Sequence, residues 1–122
     1  MGNVVDEKRF AFAVRVVKAV RIIKETKREY ELANQLLRSG TSIGANISEG
    51  KYAQSDKDFV SKHKIALKEA NETRYWLRLM GATNLLSEKA SQSLIKDVDE
   101  LIKILTSIVN TKENRMDDRA NE

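Results

Sequence analysis

The sequence predicts an all-α protein folded as an antiparallel up-down-up-down four-helix bundle. Three observations carry that expectation. Four segments have apolar residues recurring at intervals of three and four, and turn residues are confined to short stretches between them. Helix breakers are nearly absent, with no Pro and only five Gly in 122 residues. A chain of this length is sized for one core. Residues 1–112 therefore read as a single domain, and the polar, aperiodic stretch 113–122 as a frayed tail.

The first segment runs from about Asp6 to Lys27. Phe12, Val16, Ala19 and Ile23 step by four, three and four, and Phe10, Ala13, Val14, Val17 and Val20 form a second stripe beside them. The combined arc is wider than one face of an isolated bundle needs, which points to a partner surface. The second segment starts near Arg28 and carries Tyr30, Ala33, Leu36, Leu37, Ile43 and Ile47. "EGKYAQSD" ends it, with Gly50 placed as a C-terminal cap where a left-handed backbone costs glycine nothing. Ser55 with Asp58 gives a capping-box-like start to the third helix. Phe59, His63, Ala66, Ala70, Thr73, Leu77 and Met80 then alternate steps of four and three, a heptad-like seam that ends between Gly81 and Asn84. Ser87 and Glu88 open the last helix, where Leu94, Val98, Leu101, Leu105 and Ile108 repeat the rhythm.

Within the second helix, "RSGTSIGANISEG" from Arg38 to Gly50 has the composition of a ligand loop. A phosphate loop needs four residues between its glycines and a hydroxyl residue after the lysine. Here five residues separate Gly44 from Gly50, Lys51 is followed by Tyr52, and no strand pattern precedes. Packing explains more of the residues. Gly40, Gly44 and Ser48 lie four apart and leave a shallow groove where a neighbouring backbone can approach. Arg38, Ser42 and Asn46 make a second row. Antiparallel pairing across a short loop places Arg38 near Glu69, Ser42 near His63 and Asn46 near Phe59, a partly buried polar seam that sets register. Arg38 and Glu49 stand roughly 16 Å apart along one helix, so each finds its partners elsewhere.

His63 is the only histidine. A lone His on a helical seam reads as a satisfied core residue, since catalysis or ligation requires a partner. The residue three before it is Val60, so the Glu-x-x-His pair of di-iron bundles is missing. With zero Cys there is neither a disulfide scaffold nor a thiolate metal site. No Ser, His and acid set stands out for nucleophilic catalysis. These features predict no catalytic residues, no metal, no cofactor and no small-molecule substrate.

The formal net charge is +4, from 22 basic and 18 acidic residues. Basic residues concentrate at Arg15, Lys18 and Arg21 on the first helix, and at Lys57, Lys62, Lys64, Lys68, Arg74 and Arg78 on the third. They are candidate contacts to a phosphate backbone, weighed against a plain solvated surface. Tyr52, Tyr75 and Trp76 are the aromatic residues available to stack on bases. No signal-peptide core and no apolar run near the ~18 residues of a membrane span occurs, so a cytoplasmic protein without membrane contact is expected. The sequon Asn46-Ile47-Ser48 is then a chance match.

Arg38, Ser39, Ser42, Ile43, Asn46, Ile47, Glu49 and Gly50, followed by Ser55, Asp58 and Phe59, carry a family resemblance. With the downstream "IALKEANETRYWL", this pattern closely resembles the bacterial four-helix-bundle proteins encoded in intervening sequences of 23S ribosomal RNA genes, and their free-standing relatives. The resemblance extends over essentially the whole chain. It implies a homopentameric barrel of bundles. It also implies kinship with the accessory variability determinant of diversity-generating retroelements, which binds nucleic acid and a reverse transcriptase, and it supplies no catalytic residue. The expectation is a non-enzymatic homo-oligomer that binds RNA or DNA through a basic surface. The alternative is a structural subunit that contacts only protein.

Overall fold

The computed structural model describes residues 4–121, and every regular element among them is an α-helix. α1 spans Val4–Lys27, α2 Glu31–Lys51, α3 Asp56–Ala82 and α4 Glu88–Ala120. Each boundary has a local cause. Arg28 takes a left-handed backbone (φ 53°), which a right-handed helix does not continue through. α2 therefore begins at Glu31 rather than near Arg28. Ser55 Oγ accepts from the Asp58 N–H at 3.1 Å, and Ser87 Oγ accepts from the Ala90 N–H at 3.1 Å, so both expected caps form. Between α3 and α4, Asn84 is also left-handed (φ 63°), a conformation asparagine tolerates. The Leu85 and Leu86 N–H groups turn back to the Met80 carbonyl at 3.0 and 3.2 Å, which carries Leu86 into the core.

Neighbouring helices pack in chain order, α1 on α2, α2 on α3 and α3 on α4, and α1 closes the ring against α4. α1 and α3 lie diagonally across the bundle, with no close approach of their backbones. The core is filled from all four helices, with Phe12, Ile23, Leu36, Ile43, Leu77, Met80, Leu101 and Leu105 fully enclosed. Burying each of these large side chains is worth about 1.5–3 kcal/mol. Three seams close on a glycine. A Cβ on Gly40 of α2 would lie 2.9 Å from both methyls of Val16 in α1. On Gly50 of α2 it would lie 2.4 Å from His63 Cε1 in α3, and on Gly81 of α3 it would lie 2.5 Å from Ser91 Oγ in α4.

Two expectations change here. Gly50 lies inside α2 with no left-handed backbone, so it is not the cap. It is glycine because the His63 ring occupies the space of a side chain. The α2–α3 register is also displaced, because His63 meets Gly50 and Thr73 meets Ser39, whereas the loop-based pairing put His63 beside Ser42. Side chains lean toward the N-terminus of their own helix. On antiparallel neighbours this lean raises the residue number at each contact on both helices, an offset that pairing by Cα height leaves out.

α4 continues as helix to Ala120, past the Lys112 boundary set by the apolar pattern. Polar contacts hold the extension. Lys112 Nζ stands 2.9 Å from Asp56 Oδ1, the Arg119 guanidinium pairs with Asp56 Oδ2, and Lys64 Nζ reaches Glu113 at 3.1 Å. Hydrogen bonds from Lys112, then from Arg119, hold the Asp56 carboxyl below its usual value against a smaller opposing effect of desolvation.

Two outcomes follow from this packing. Gly50→Ala is expected to lower stability by about 1–2 kcal/mol, since overpacking outweighs the ~1 kcal/mol helix-propensity gain. Gly44→Ala, whose Cβ would meet Arg9 carbons at an ordinary 3.9 Å, is expected to be neutral or stabilising; thermal melts that rank the two variants the other way refute the packing account. For Asp56, the lowered pKa means its stabilisation is complete above the ordinary carboxylate value and is lost as pH falls through the folded-state value. Helical Cα chemical shifts of residues 113–120 should therefore collapse on acidification. Asp56→Asn should show the same collapse at neutral pH, and shifts that ignore both changes would rule the anchor out.

Candidate nucleic-acid interface

The solvent-facing side of α3 carries a straight row of cations. Lys57, Lys64, Lys68, Tyr75 and Arg78 step by seven, four, seven and three, and all five side chains are exposed. At 100° per residue they fall within about an 80° arc, and at 1.5 Å per residue the stripe runs roughly 32 Å. Lys57, Lys68 and Arg78 have no acidic partner among the described residues, while Lys64 is paired with Glu113. Tyr75 is 57% exposed, one turn from the Arg78 end of the stripe. Three ammonium groups, a guanidinium and one ring thus face water along one straight ridge, an arrangement suited to successive phosphates and a single stacked base.

The other basic candidates do not join this ridge. Lys62 turns toward α2 and lies 3.7 Å from Glu49. Arg74 turns toward α4, donating from Nε to Asp99 at 2.7 Å. On α1, Arg15 donates to Asp97 at 2.5 Å and to Ser93 Oγ at 2.9 Å. Lys18 and Arg21 are exposed, but they sit on the helix diagonal to α3. Of the aromatic candidates, Trp76 packs against the core and meets the Tyr75 ring edge-on at 5.3 Å. Tyr52 is 80% exposed in the α2–α3 turn.

The polar row on α2 divides as well. Arg38 reaches α3, donating to Glu69 Oε2 at 3.1 Å and pairing with Glu72. Burial lowers the pKa of this guanidinium, and the charges and hydrogen bonds of Glu69 and Glu72 outweigh that and raise it. Ser42 and Asn46 instead donate to their own helix, to the Arg38 carbonyl at 2.6 Å and the Ser42 carbonyl at 2.9 Å. His63 is buried, with Nδ1 2.8 Å from the Phe59 carbonyl and its ring stacked on Phe59 at 4.1 Å.

The buried polar link between α2 and α3 is the hydrogen bond between the Thr73 and Ser39 hydroxyls at 2.9 Å, with Thr73 Oγ1 also 2.8 Å from the Glu69 carbonyl of its own helix. Ser39 occupies the apolar stripe of Leu36, Ile43 and Ile47, so its helical phase was the available signal. Arg9 escaped the sequence reading altogether. It lies along the Gly44–Ser48 groove and donates to the Gly44 carbonyl at 2.8 Å and to Ser48 Oγ at 2.7 Å. Among the described residues no cluster of His, Cys, Asp or Glu is arranged to hold a metal ion, and no helix is long and apolar enough to cross a membrane.

A family model described as 23S rRNA-intervening sequence protein matches residues 3–107. Among solved structures, the chain is similar to a protein of unknown function from the S23 ribosomal protein family of Bacteroides thetaiotaomicron. The likeness has 46% identity and a TM-score of 0.86, covering 87% of this chain and 98% of that one. No curated protein matches. The family match reaches into all four helices and includes the α2 glycine stretch and the α3 start: the chain belongs to the 23S rRNA-intervening sequence protein family.

Proposed function

We propose that this protein is a non-enzymatic, homo-oligomeric helical-bundle module that binds RNA or DNA through the exposed cationic face of α3. The observation that carries this reading is the stripe of Lys57, Lys64, Lys68 and Arg78 around Tyr75, three of whose cations lack an acidic partner among the described residues. Unpaired surface cations retain full attraction for phosphate, whereas Arg15, Lys62 and Arg74 would first surrender an ion pair. Such a surface reads backbone charge, so binding is sequence-tolerant and salt-dependent. The protein acts in the cytoplasm.

Self-association is supported by the N-terminal half of α1. Phe10 is 72% exposed and Val14 37%, two large apolar groups one turn apart on the same helix face, and Val4, 60% exposed, lies beyond them toward the start of the helix. The family resemblance favours a pentamer. In such an assembly several α3 stripes would act together, adding avidity to individually weak contacts. The same apolar face also supports a second reading, in which the oligomer serves only as a protein-interaction subunit.

Fluorescence anisotropy with an RNA hairpin and a DNA duplex across a salt series tests the leading reading. Lys68→Glu with Arg78→Glu is expected to weaken binding tenfold or more and to flatten the salt slope by about two. An absence of binding at low salt would favour the protein-interaction reading. Light scattering should give a multiple of the 13.9 kDa chain mass, with Phe10→Glu dissociating it. A strictly monomeric parent protein would remove the basis for the oligomer.

A further inference from the structure

The α1–α4 seam is the most open of the four. It widens into a groove of about 580 Å³ at the end of the bundle where α1 finishes and α4 begins. This groove is separate from the α3 stripe, and it flanks the C-terminal half of α1 rather than the Phe10–Val14 face. Its shape follows from its side chains. Its walls include the short side chains of Ala19 in α1 and Ala90 in α4, and buried Leu86 and Leu94 also line it. Ile22 stands at the lip, 57% exposed.

The charged lining residues are Arg15, Lys18 and Lys27, all cationic. Arg15 is held by Asp97 and Ser93 at the far end. Lys18 and Lys27 have no acidic partner among the described residues. Lys18 extends the apolar wall with its methylene stem and keeps its ammonium at the rim. Lys27 closes the near end beside Asn84 and Ser87, where the first turn of α4 adds the positive end of its dipole. An apolar trough with one cationic, donor-rich end recognises an apolar body that carries an anionic head, and its volume lies within the usual small-molecule range. A carboxylate carries the single charge that one unpaired lysine balances, whereas a phosphate monoester carries close to two and would be left partly uncompensated at this end.

From this geometry we infer that the groove binds a small amphipathic carboxylate, with its head at Lys27 and the N-terminus of α4 and its body along Ala19, Ile22 and Ala90. The inference does not rest on nucleic-acid binding. Dodecanoate, kept below its micelle concentration, is titrated into the full chain labelled at Ile and Leu methyls, with calorimetry in parallel. The expected result is saturable binding at one site per chain, with shifts confined to Ile22, Leu85, Leu86 and Leu94. Lys27→Glu should weaken binding at least tenfold, Lys27→Arg should preserve it, and dodecyltrimethylammonium should not compete. Position 27 is an exposed helix end, so these variants leave the core intact, and Ile22→Gln provides a second test within the apolar wall. The proposal is overturned by the absence of saturable binding, by binding indifferent to Lys27→Glu, or by shifts centred on the exposed Ile65 of α3 instead. It is equally overturned if Lys27→Glu changes the oligomer mass, which would mean that a second copy of the chain covers the groove.

Discussion

The distance at which neighbouring helices cross governs the rest of this fold. At Gly40 against Val16, Gly50 against His63 and Gly81 against Ser91, the facing side chain already fills the space of a β-carbon. Three of the four seams are each pinned at one such point. Each glycine costs helix propensity, and the close crossings offset that cost through dispersion contacts and enclosure of the core. The Ser39–Thr73 hydrogen bond depends on the same proximity, because both hydroxyls lie in an interior from which water is excluded. The α1–α4 seam has no glycine of this kind, and it is the seam that opens into a groove.

Charge acts as a second layer of specification over this packing. Lys8–Glu100 and Arg15–Asp97 span α1 and α4, Arg38–Glu69 spans α2 and α3, and Arg74–Asp99 spans α3 and α4. Exposed pairs of this kind are each worth about 0–1 kcal/mol, so their effect lies in favouring one register over its neighbours. They also divide the basic residues into two populations. Arg15, Lys62 and Arg74 are neutralised by carboxylates across their seams, and Lys57, Lys68 and Arg78, facing water, keep their field. A net charge of +4 averages over both and conceals a ridge where positive charge is locally concentrated.

The helices and their capping serines were legible in the sequence because they follow from local rules, namely apolar periodicity and the hydroxyl that precedes a helix. Gly50 was misread for an equally physical reason. A glycine near a helix end has the same local signature whether it supplies a left-handed backbone or makes room for a partner, and the partner lies in another helix. Arg9 and the extension of α4 beyond Lys112 were hidden in the same way. Both depend on polar contacts with residues distant in the chain, to Gly44 and Ser48 in one case and to Asp56 in the other. The basic residues of α3 could be found by composition alone. Sorting Lys68 and Arg78 from Lys62 and Arg74 required knowing which carboxylates stand opposite.

The connections between helices are short, so the α1–α2, α2–α3 and α3–α4 seams join segments that are consecutive in the chain. Their closure carries little loop entropy, whereas the α1–α4 seam brings together the two ends of the polypeptide. This topology has a low contact order, and with neither proline nor cysteine in the chain it meets no slow prolyl isomerisation and no thiol exchange. The intrinsic speed of folding is therefore set by helix docking, with closure of the ends as its costliest step, and any phase that slows on dilution belongs to the meeting of separate chains.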